Sequence, residues 1–375
     1  MKTFEQQIAQ LEQFKQIKEQ LNKKCGLHWI DGCTDSGRLH FSYTLSEDFK
    51  KHIIVTYNEI RAREIFEEFS SFDKNTVYYP AKDVMFFAAD LHGNLLVVER
   101  MKALKAIIMN ENVTVVTTAD ALMNMLLPIE EIKEKIIHLD SESVISIEEL
   151  EKRLVMLGYE RTYQAENPGQ FAVRGGIVDV YGLTDENPCR IEFWGDEIDL
   201  IKSYDAESQR TIENLMEVDI FPACEVIADE DRLKSGIDKI KKDMQEVHDV
   251  FRKKMKTEEA YRIKTSVNEL LEMIENNISS SVLDSYLMYF TDKAAGFLDY
   301  FDFDNTLITL DEPVRIGQRI RAVELEFSSS MENRLSKGYA IAGQAKMLRS
   351  AEEVFALLSR HRGVGYFALD NNANE

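Results

Sequence analysis

Hydrophobic and polar positions follow helical and strand-like periods in turn along the first third of the chain. Apolar residues recur at three- and four-residue steps from Phe4 to Leu21, which predicts an amphipathic helix laid against the first domain or, alternatively, an arm for a partner. Apolar runs then predict strands over residues 27–30, 51–57, 76–79 and 113–116. Helical patterns cover residues 59–69, 99–109 and 119–126. Because strands and helices alternate, a parallel sheet covered on both faces is predicted.

A different pattern begins near residue 146. Ser146 and Glu149 have the spacing of a capping box, which predicts a helix over residues 147–157 with Gly158 at its left-handed C-cap. Residues 176–181 then alternate apolar and polar positions, and turn residues at 185–188 and 195–196 separate the strand-like stretches that follow. This stretch predicts one helix packed on a small, mostly antiparallel sheet.

Charged helical patterns dominate the rest of the chain, over residues 229–277, 314–335 and 351–360. A strand is predicted over residues 305–310, and residues 364–369 predict an added edge strand or a loosely ordered segment. The overall prediction is an α/β fold. Residues 1–135 form the first domain, residues 136–222 form an inserted α+β domain, and the helix-rich residues 223–375 return to complete the first domain.

Composition restricts the classes of function. The 375 residues carry a formal net charge of −21, and so acidic a chain gains little from counterion release on nucleic acid. The four cysteines are widely separated and form no Cys-x-x-Cys pair, which predicts reduced thiols in a cytoplasmic protein and no metal site. No run is long and apolar enough to span a membrane, and no cofactor is expected.

A candidate nucleotide-binding loop follows the first predicted strand. Gly32 and Gly37 have P-loop spacing, but Arg38 and Leu39 stand where a lysine and a magnesium-binding hydroxyl are needed. Arginine can still bond a phosphate, whereas leucine cannot hold a metal. The loop therefore predicts a vestigial, inactive nucleotide site, with an unrelated strand–turn as the alternative.

A second remnant of such a site lies far along the chain. Asp311 and Glu312 end an apolar run, as in a Walker B strand, where the first carboxylate holds magnesium and the second orients water. Without a complete P-loop, we expect a strand end with two exposed carboxylates and no catalytic residue.

The longest distinctive pattern lies in the predicted antiparallel sheet. It combines Phe171-x-x-Arg174-Gly175-Gly176-x-x-Asp179-x-Tyr181, then Arg190-Ile191-Glu192-Phe193-Trp194-x-Asp196-Glu197-Ile198-Asp199, and finally Ser208-Gln209-Arg210-Thr211. This pattern resembles domain 2 of the transcription-repair coupling factors (Mfd), and a looser version occurs in the excision-repair helicase UvrB. The Ser-Gln-Arg-Thr variant favours the coupling factors. In both families this domain docks onto UvrA, the damage-recognition ATPase.

The resemblance implies that Arg174, Arg190 and Trp194 face UvrA. Adjacent strands can present three such side chains on one face, where guanidinium groups clasp carboxylates and an aromatic ring anchors the desolvated centre. Trp194 replaces the phenylalanine expected in the family. The alternative is that both arginines pair with acids of the same domain, namely Glu192, Asp196 or Glu197.

Over the whole chain the resemblance is weaker and implies the family's N-terminal UvrB-like module, with domains 1A, 2 and 1B around a degenerate RecA-like sheet. Such a module recruits UvrA to stalled RNA polymerase in nucleotide excision repair. Family members also contact RNA polymerase and duplex DNA, which we expect to occur through regions absent from this chain. The alternative is a nucleotide-dependent helicase fragment or a DNA-binding module related to UvrB.

One further difference from UvrB lies at residues 83–92. UvrB carries a long DNA-inserting hairpin in the corresponding region, and this segment is short. Phe86 and Phe87 are expected to pack in the core rather than to stack on bases.

Overall fold

The protein forms two compact units. The computed structural model describes residues 2–23, 25–82, 93–275 and 281–367. The first unit takes in the described parts of Met1–Phe87, Ala103–Leu126 and Ala295–Glu375, and the second takes in those of Ala88–Lys102 and Leu127–Ala294. Residues 223–294 thus share a unit with residues 137–222. The domain boundaries at residues 135 and 222 stay predictions.

Helices and strands alternate in the described ranges. The α-helices are α1 (Lys2–Gln10), α2 (Glu12–Lys23), α3 (Asp35–Ser46), α4 (Glu59–Ser70), α5 (Gly93–Met109), α6 (Ala119–Leu122), α7 (Ile129–Lys133), α8 (Ile147–Met156), α9 (Glu230–Lys253), α10 (Thr257–Glu275), α11 (Ser281–Asp284), α12 (Leu287–Phe290), α13 (Pro313–Ser336) and α14 (Ala351–Arg360). The strands are β1 (Gly26–Ile30), β2 (Lys51–Thr56), β3 (Thr76–Tyr79), β4 (Val113–Thr118), β5 (Met125–Leu126), β6 (Ile137–Asp140), β7 (Glu160–Arg161), β8 (Gln170–Arg174), β9 (Ile177–Tyr181), β10 (Cys189–Trp194), β11 (Glu197–Tyr204), β12 (Thr211–Leu215), β13 (Glu217–Ile220), β14 (Ala295–Gly296), β15 (Thr306–Asp311) and β16 (Arg362–Tyr366).

A six-stranded parallel sheet forms the centre of the first unit. Its strand order is β1-β16-β15-β2-β4-β3, and all neighbouring strands run parallel. The β-branched strands β2 and β4 are buried almost throughout, as expected when both faces of a parallel sheet are covered. The predicted α/β fold with a parallel sheet is confirmed.

The position predicted for the last strand is wrong. β16 is internal, with parallel neighbours β1 and β15 on its two sides. A Cβ atom at Gly363 would lie 2.6 Å from the Ile308 carbonyl oxygen and 2.7 Å from the Leu27 side chain, so only glycine fits this close approach. Glycine weakens the strand pattern, which is why the sequence of β16 suggested an edge strand or loose chain.

The amphipathic N-terminal segment packs on the first unit, as predicted, but as two helices that break at Leu11. One buried cluster contains residues from both helices, from α3 and from the sheet: Ile8, Phe14, Leu21, Phe41, Leu45, Leu307, Val364 and Tyr366. Apolar steps run through Leu11 without interruption, so the pattern could not indicate the break.

The helix predicted over residues 119–126 is shorter than expected. α6 ends at Leu122, and β5 pairs with β14 instead of continuing the helix. Asn124 is buried, and its Oδ1 accepts a hydrogen bond from the Lys82 backbone N at 2.8 Å. The chain beyond α6 makes strand-type bonds instead of helical ones, since Asn124 bridges Leu348 and the Met125 backbone N donates to the Met347 carbonyl oxygen at 3.3 Å.

His52, which is buried in β2, should make the first unit sensitive to acid. Its Nε2 lies 2.9 Å from Thr309 Oγ1, and burial lowers the pKa of His52 from 6.5 to about 3. Below pH 6.5 the unfolded chain binds a proton that the folded state excludes. The free energy of unfolding should therefore fall by about 1.4 kcal/mol per pH unit as the pH drops toward 3. Urea unfolding at pH 7, 6 and 5, followed by Trp29 fluorescence in a Trp194→Phe background, measures this slope.

The matched variant for this test is His52→Gln, which keeps a hydrogen-bonding group and removes the titration. His361 lies in the same unit, and burial lowers its pKa as well, but it is common to both proteins. The free energy of unfolding should fall less steeply with decreasing pH in His52→Gln than in the parent protein. Equal slopes would show that His52 is not the source of the acid sensitivity.

The second unit contains a six-stranded sheet of the opposite kind. Its order is β12-β11-β10-β9-β8-β7, antiparallel except for the β7–β8 pair. α8 begins after Ser146, whose Oγ accepts a hydrogen bond from the Glu149 backbone N at 3.2 Å. Gly158 follows the helix with φ of +87°. The predicted helix, its Ser146 N-cap, its Gly158 C-cap and the mostly antiparallel sheet are confirmed. The capping box is only half formed, because Glu149 Oε1 accepts a hydrogen bond from Arg153 Nε at 2.8 Å instead.

The rest of the second unit is mostly helical, as predicted. α9 and α10 pack against each other and are joined through Met255, which has φ of +57°. Arg100 of α5 donates to Glu225 through Nε at 2.6 Å and through Nη2 at 2.9 Å. Both side chains are buried, so this bidentate pair fixes the middle of α5 to the segment that follows β13.

Candidate functional site

The three residues predicted to face a partner lie on one face of the antiparallel sheet, called here the outer face. Arg190 pairs in register with Asp179 on β9 and with Lys202 on β11. Arg174 ends β8, and Trp194 ends β10 four residues beyond Arg190. Side chains alternate along a strand, and register partners project to the same side. The outer face therefore carries Arg174, Arg190 and Trp194 together.

Asp179 is the centre of this face. Its carboxylate is fully buried and accepts hydrogen bonds from both arginines. Arg190 binds it bidentately, with Nε 2.6 Å from Oδ1 and Nη2 2.9 Å from Oδ2, and Arg174 Nη2 also contacts Oδ2. Two cations therefore share one buried anion, and the Arg174 side chain stays 36% exposed.

Arg190 is held from three sides. Its Nη2 donates to Gln209 Oε1 at 3.0 Å, and its guanidinium carbon lies 4.5 Å from the centroid of the Tyr204 ring. Gln209 adopts φ of +59° in the turn between β11 and β12. Hydrogen bonding to Asp179 raises the pKa of Arg190 further above its usual range. The arrangement fixes the guanidinium as a permanent cation in one orientation.

Trp194 differs from the arginines because it is 82% exposed. It is the last residue of β10, before the turn at Gly195 and Asp196. A large, largely exposed aromatic side chain on the same face as a partly exposed guanidinium can anchor a partner surface.

The internal partners predicted for the arginines are wrong. Arg174 and Arg190 pair with Asp179, whereas Glu192 pairs with Lys202 at 2.6 Å. Asp179 belongs to the sequence pattern, but its role depends on the register of β9 against β10, which sequence alone does not fix. Binding of a partner through Arg174, Arg190 and Trp194 stays a prediction.

The candidate nucleotide loop connects β1 to α3 in the first unit. Gly32 lies in the loop and Gly37 in the first turn of the helix. Leu39 is buried in a cluster that includes Ile54 and Phe69, so its side chain belongs to the core. Arg38 is also buried.

Arg38 brings the two predicted remnants together. Its Nη1 lies 2.8 Å from Asp311 Oδ1 and 3.0 Å from Glu312 Oε1. The other oxygen of Asp311 accepts hydrogen bonds from Thr56 Oγ1 at 3.2 Å and from Arg61 Nε at 3.0 Å. The expectation of two exposed carboxylates is wrong, because both are largely buried and paired with Arg38.

This network alters what the loop can do. Asp311 is bonded through both oxygens, and Glu312 holds φ of +66°, a left-handed conformation that costs energy in a residue other than glycine. In a nucleotide site a phosphate would contact the cation at position 38. Here that cation, Arg38, is paired with the carboxylates of Asp311 and Glu312.

Other sequence predictions concern features away from these sites. Residues 83–92, with Phe86 and Phe87, lie outside the described residues. The cysteines Cys25, Cys33, Cys189 and Cys224 are free thiols. In the described ranges, no group of three or more His, Cys, Asp or Glu side chains is placed to hold a metal ion. Among those same residues, no helix is long and apolar enough to cross a membrane.

The parallel-sheet unit, together with a second unit that displays Arg174 and Trp194 on an antiparallel sheet, defines an α/β protein with an exposed basic and aromatic face. Comparison with known families agrees, because residues 137–225 match the UvrB interaction domain. This part of the chain is therefore similar to the UvrB interaction domain.

Individual relatives identify the family more closely. The chain is 30% identical over 335 residues to the transcription-repair-coupling factor of Bacillus subtilis (strain 168), a match that covers 88% of the chain and 28% of the relative. It is 26% identical over 359 residues to UvrABC system protein B of Thermotoga neapolitana, covering 90% of the chain and 54% of that protein. The chain is thus related to transcription-repair coupling factors and to UvrB. It spans about a quarter of the former and about half of the latter.

Proposed function

We propose that this chain is a non-catalytic docking module for UvrA in nucleotide excision repair, and that it corresponds to the UvrB-like module of a transcription-repair coupling factor. In the intact protein, the module would recruit UvrA to stalled RNA polymerase. The observation that carries the proposal is the outer face of the UvrB interaction domain. There Trp194, 82% exposed, shares the face with Arg174, whose guanidinium is oriented by the buried Asp179.

The physical character of that face fits protein docking. Arg174 and Arg190 are oriented before any partner arrives, so little side-chain entropy is lost on binding. Arg174 keeps exposed guanidinium area that can meet a partner carboxylate. Trp194 supplies the apolar area that dominates most interface hot spots.

We further propose that the nucleotide site of the first unit is vestigial. Its lysine and hydroxyl positions hold Arg38 and Leu39, of which the first is engaged by Asp311 and Glu312 and the second is buried in the core. Both carboxylates that would serve magnesium and water are therefore occupied internally. This supports a structural role for the network in place of hydrolysis.

The test is a calorimetric titration of this chain against UvrA from the same source, beside a magnesium-dependent ATPase assay on the chain alone. We expect saturable one-site binding to UvrA and no ATP turnover above buffer. Failure to bind UvrA would refute the docking function. ATP turnover that disappears in an Asp311→Asn variant would instead favour a helicase fragment that retains activity.

A further inference from the structure

A second exposed apolar residue lies beside Trp194. Val144, in the segment before α8, forms an antiparallel bridge with Glu197. The neighbouring Ile145 backbone N donates to the Asp196 carbonyl oxygen at 3.0 Å. Glu197 also pairs with Trp194 across the β10–β11 turn. Because paired residues project to the same side of a sheet, Trp194, Glu197 and Val144 form one row on the outer face.

This row is solvent-exposed and largely apolar. Trp194 is 82% and Val144 is 74% exposed, although both side chains are hydrophobic. The adjacent row on the same face joins residues of β8 to β11 by register: Arg174, Ile177, Glu192 and Leu200. Within that row, Ile177 and Leu200 are half-buried. Apolar residues at the centre with charged side chains around them are typical of a docking surface.

We infer that Val144 is a second apolar anchor of the docking surface and that Glu197, between the two anchors, faces a cation of the partner. This inference rests on the proposed docking of UvrA. Two inter-strand spacings separate the anchors, about 10 Å. The partner surface therefore offers two shallow apolar pockets that far apart, with a lysine or arginine between them. It also offers a carboxylate to Arg174.

The anchor is tested by titrating UvrA with the wild type, Val144→Asp, Val144→Thr and Val250→Asp. Burying an aspartate in an apolar pocket should weaken binding on the order of tenfold or more, and the isosteric threonine should weaken it about threefold. Val250 is an exposed valine of α9 in the same unit, away from the sheet, so Val250→Asp should bind like the wild type. Thermal unfolding of each variant checks that the fold is kept.

The cation opposite Glu197 is tested by charge reversal. Glu197→Lys should weaken binding more than Glu197→Gln, and the difference should shrink as salt rises, because screening reduces like-charge repulsion. Equal effects of the two substitutions at all salt concentrations would contradict the cation.

The outcomes separate this inference from the function on which it rests. Suppose that Trp194→Ala no longer binds UvrA while Val144→Asp binds it as tightly as the wild type. The docking surface then ends at Trp194, so the second anchor is refuted while the proposed UvrA docking stands. If the wild type does not bind UvrA, the proposed function fails and the second anchor fails with it.

Discussion

Arg38→Ala should lower the free energy of unfolding of the first unit by about 3–5 kcal/mol, the cost of removing one partner from a buried ion pair. Arg38 is buried and bridges Asp311 and Glu312. After truncation, Glu312 loses its bond to Arg38, and Asp311 keeps only its bonds to Thr56 and Arg61. Chemical denaturation followed by Trp29 fluorescence in the Trp194→Phe background measures the loss.

Two further variants show whether the loss comes from buried charge. Arg38→Lys keeps the cation and should recover part of the stability. Lys50→Ala removes a solvent-exposed pair with Glu111 in the same unit, which water screens, so this variant should lose little stability. A loss in Arg38→Ala no larger than in Lys50→Ala would show that the network does not stabilise the sheet.

Trp194→Ala should weaken UvrA binding by about 2 kcal/mol or more, roughly 30-fold, while leaving the fold unchanged. The side chain is 82% exposed, so its removal creates no cavity. Arg174→Ala should also weaken binding, because its guanidinium is partly exposed beside Asp179. Titration calorimetry against UvrA measures both losses.

Arg190→Ala should weaken binding and also lower stability, since it removes the bidentate partner of Asp179 together with contacts to Gln209 and Tyr204. The control is Tyr163→Ala, which removes an exposed aromatic side chain elsewhere in the same unit. If Tyr163→Ala and Trp194→Ala have equal effects, binding does not depend on the outer face.

Local patterns predicted most elements of both units. Strand alternation was sufficient to place Arg190 and Trp194 on the same side of β10, because that inference needs only the period of a strand, whereas adding Arg174 needs the registers of β8, β9 and β10. The meeting of both arginines at Asp179 needs the register of β9 against β10. That register is set across the intervening turn at residues 182–188, whose conformation local sequence does not fix.

Contacts between residues that lie far apart along the chain were harder to predict. Arg38 and Asp311 are 273 residues apart along the chain, and only the parallel sheet brings the carboxyl ends of β1 and β15 into proximity. The pattern around Asp311 indicated a strand end but not its burial. β16 was misplaced for a related reason, since local sequence does not reveal which strands will flank a glycine-rich run.

The internal position of β16 also fixes an order of events during synthesis. β1 is made early, yet its hydrogen-bonded neighbour in the sheet is the last strand of the described chain. The second unit is complete once Ala294 has left the ribosome, so it can fold while the first unit still lacks β15 and β16. Pairings between such distant segments form slowly and leave strand edges exposed meanwhile. The sheet of the first unit can therefore be completed only after the second unit has been made.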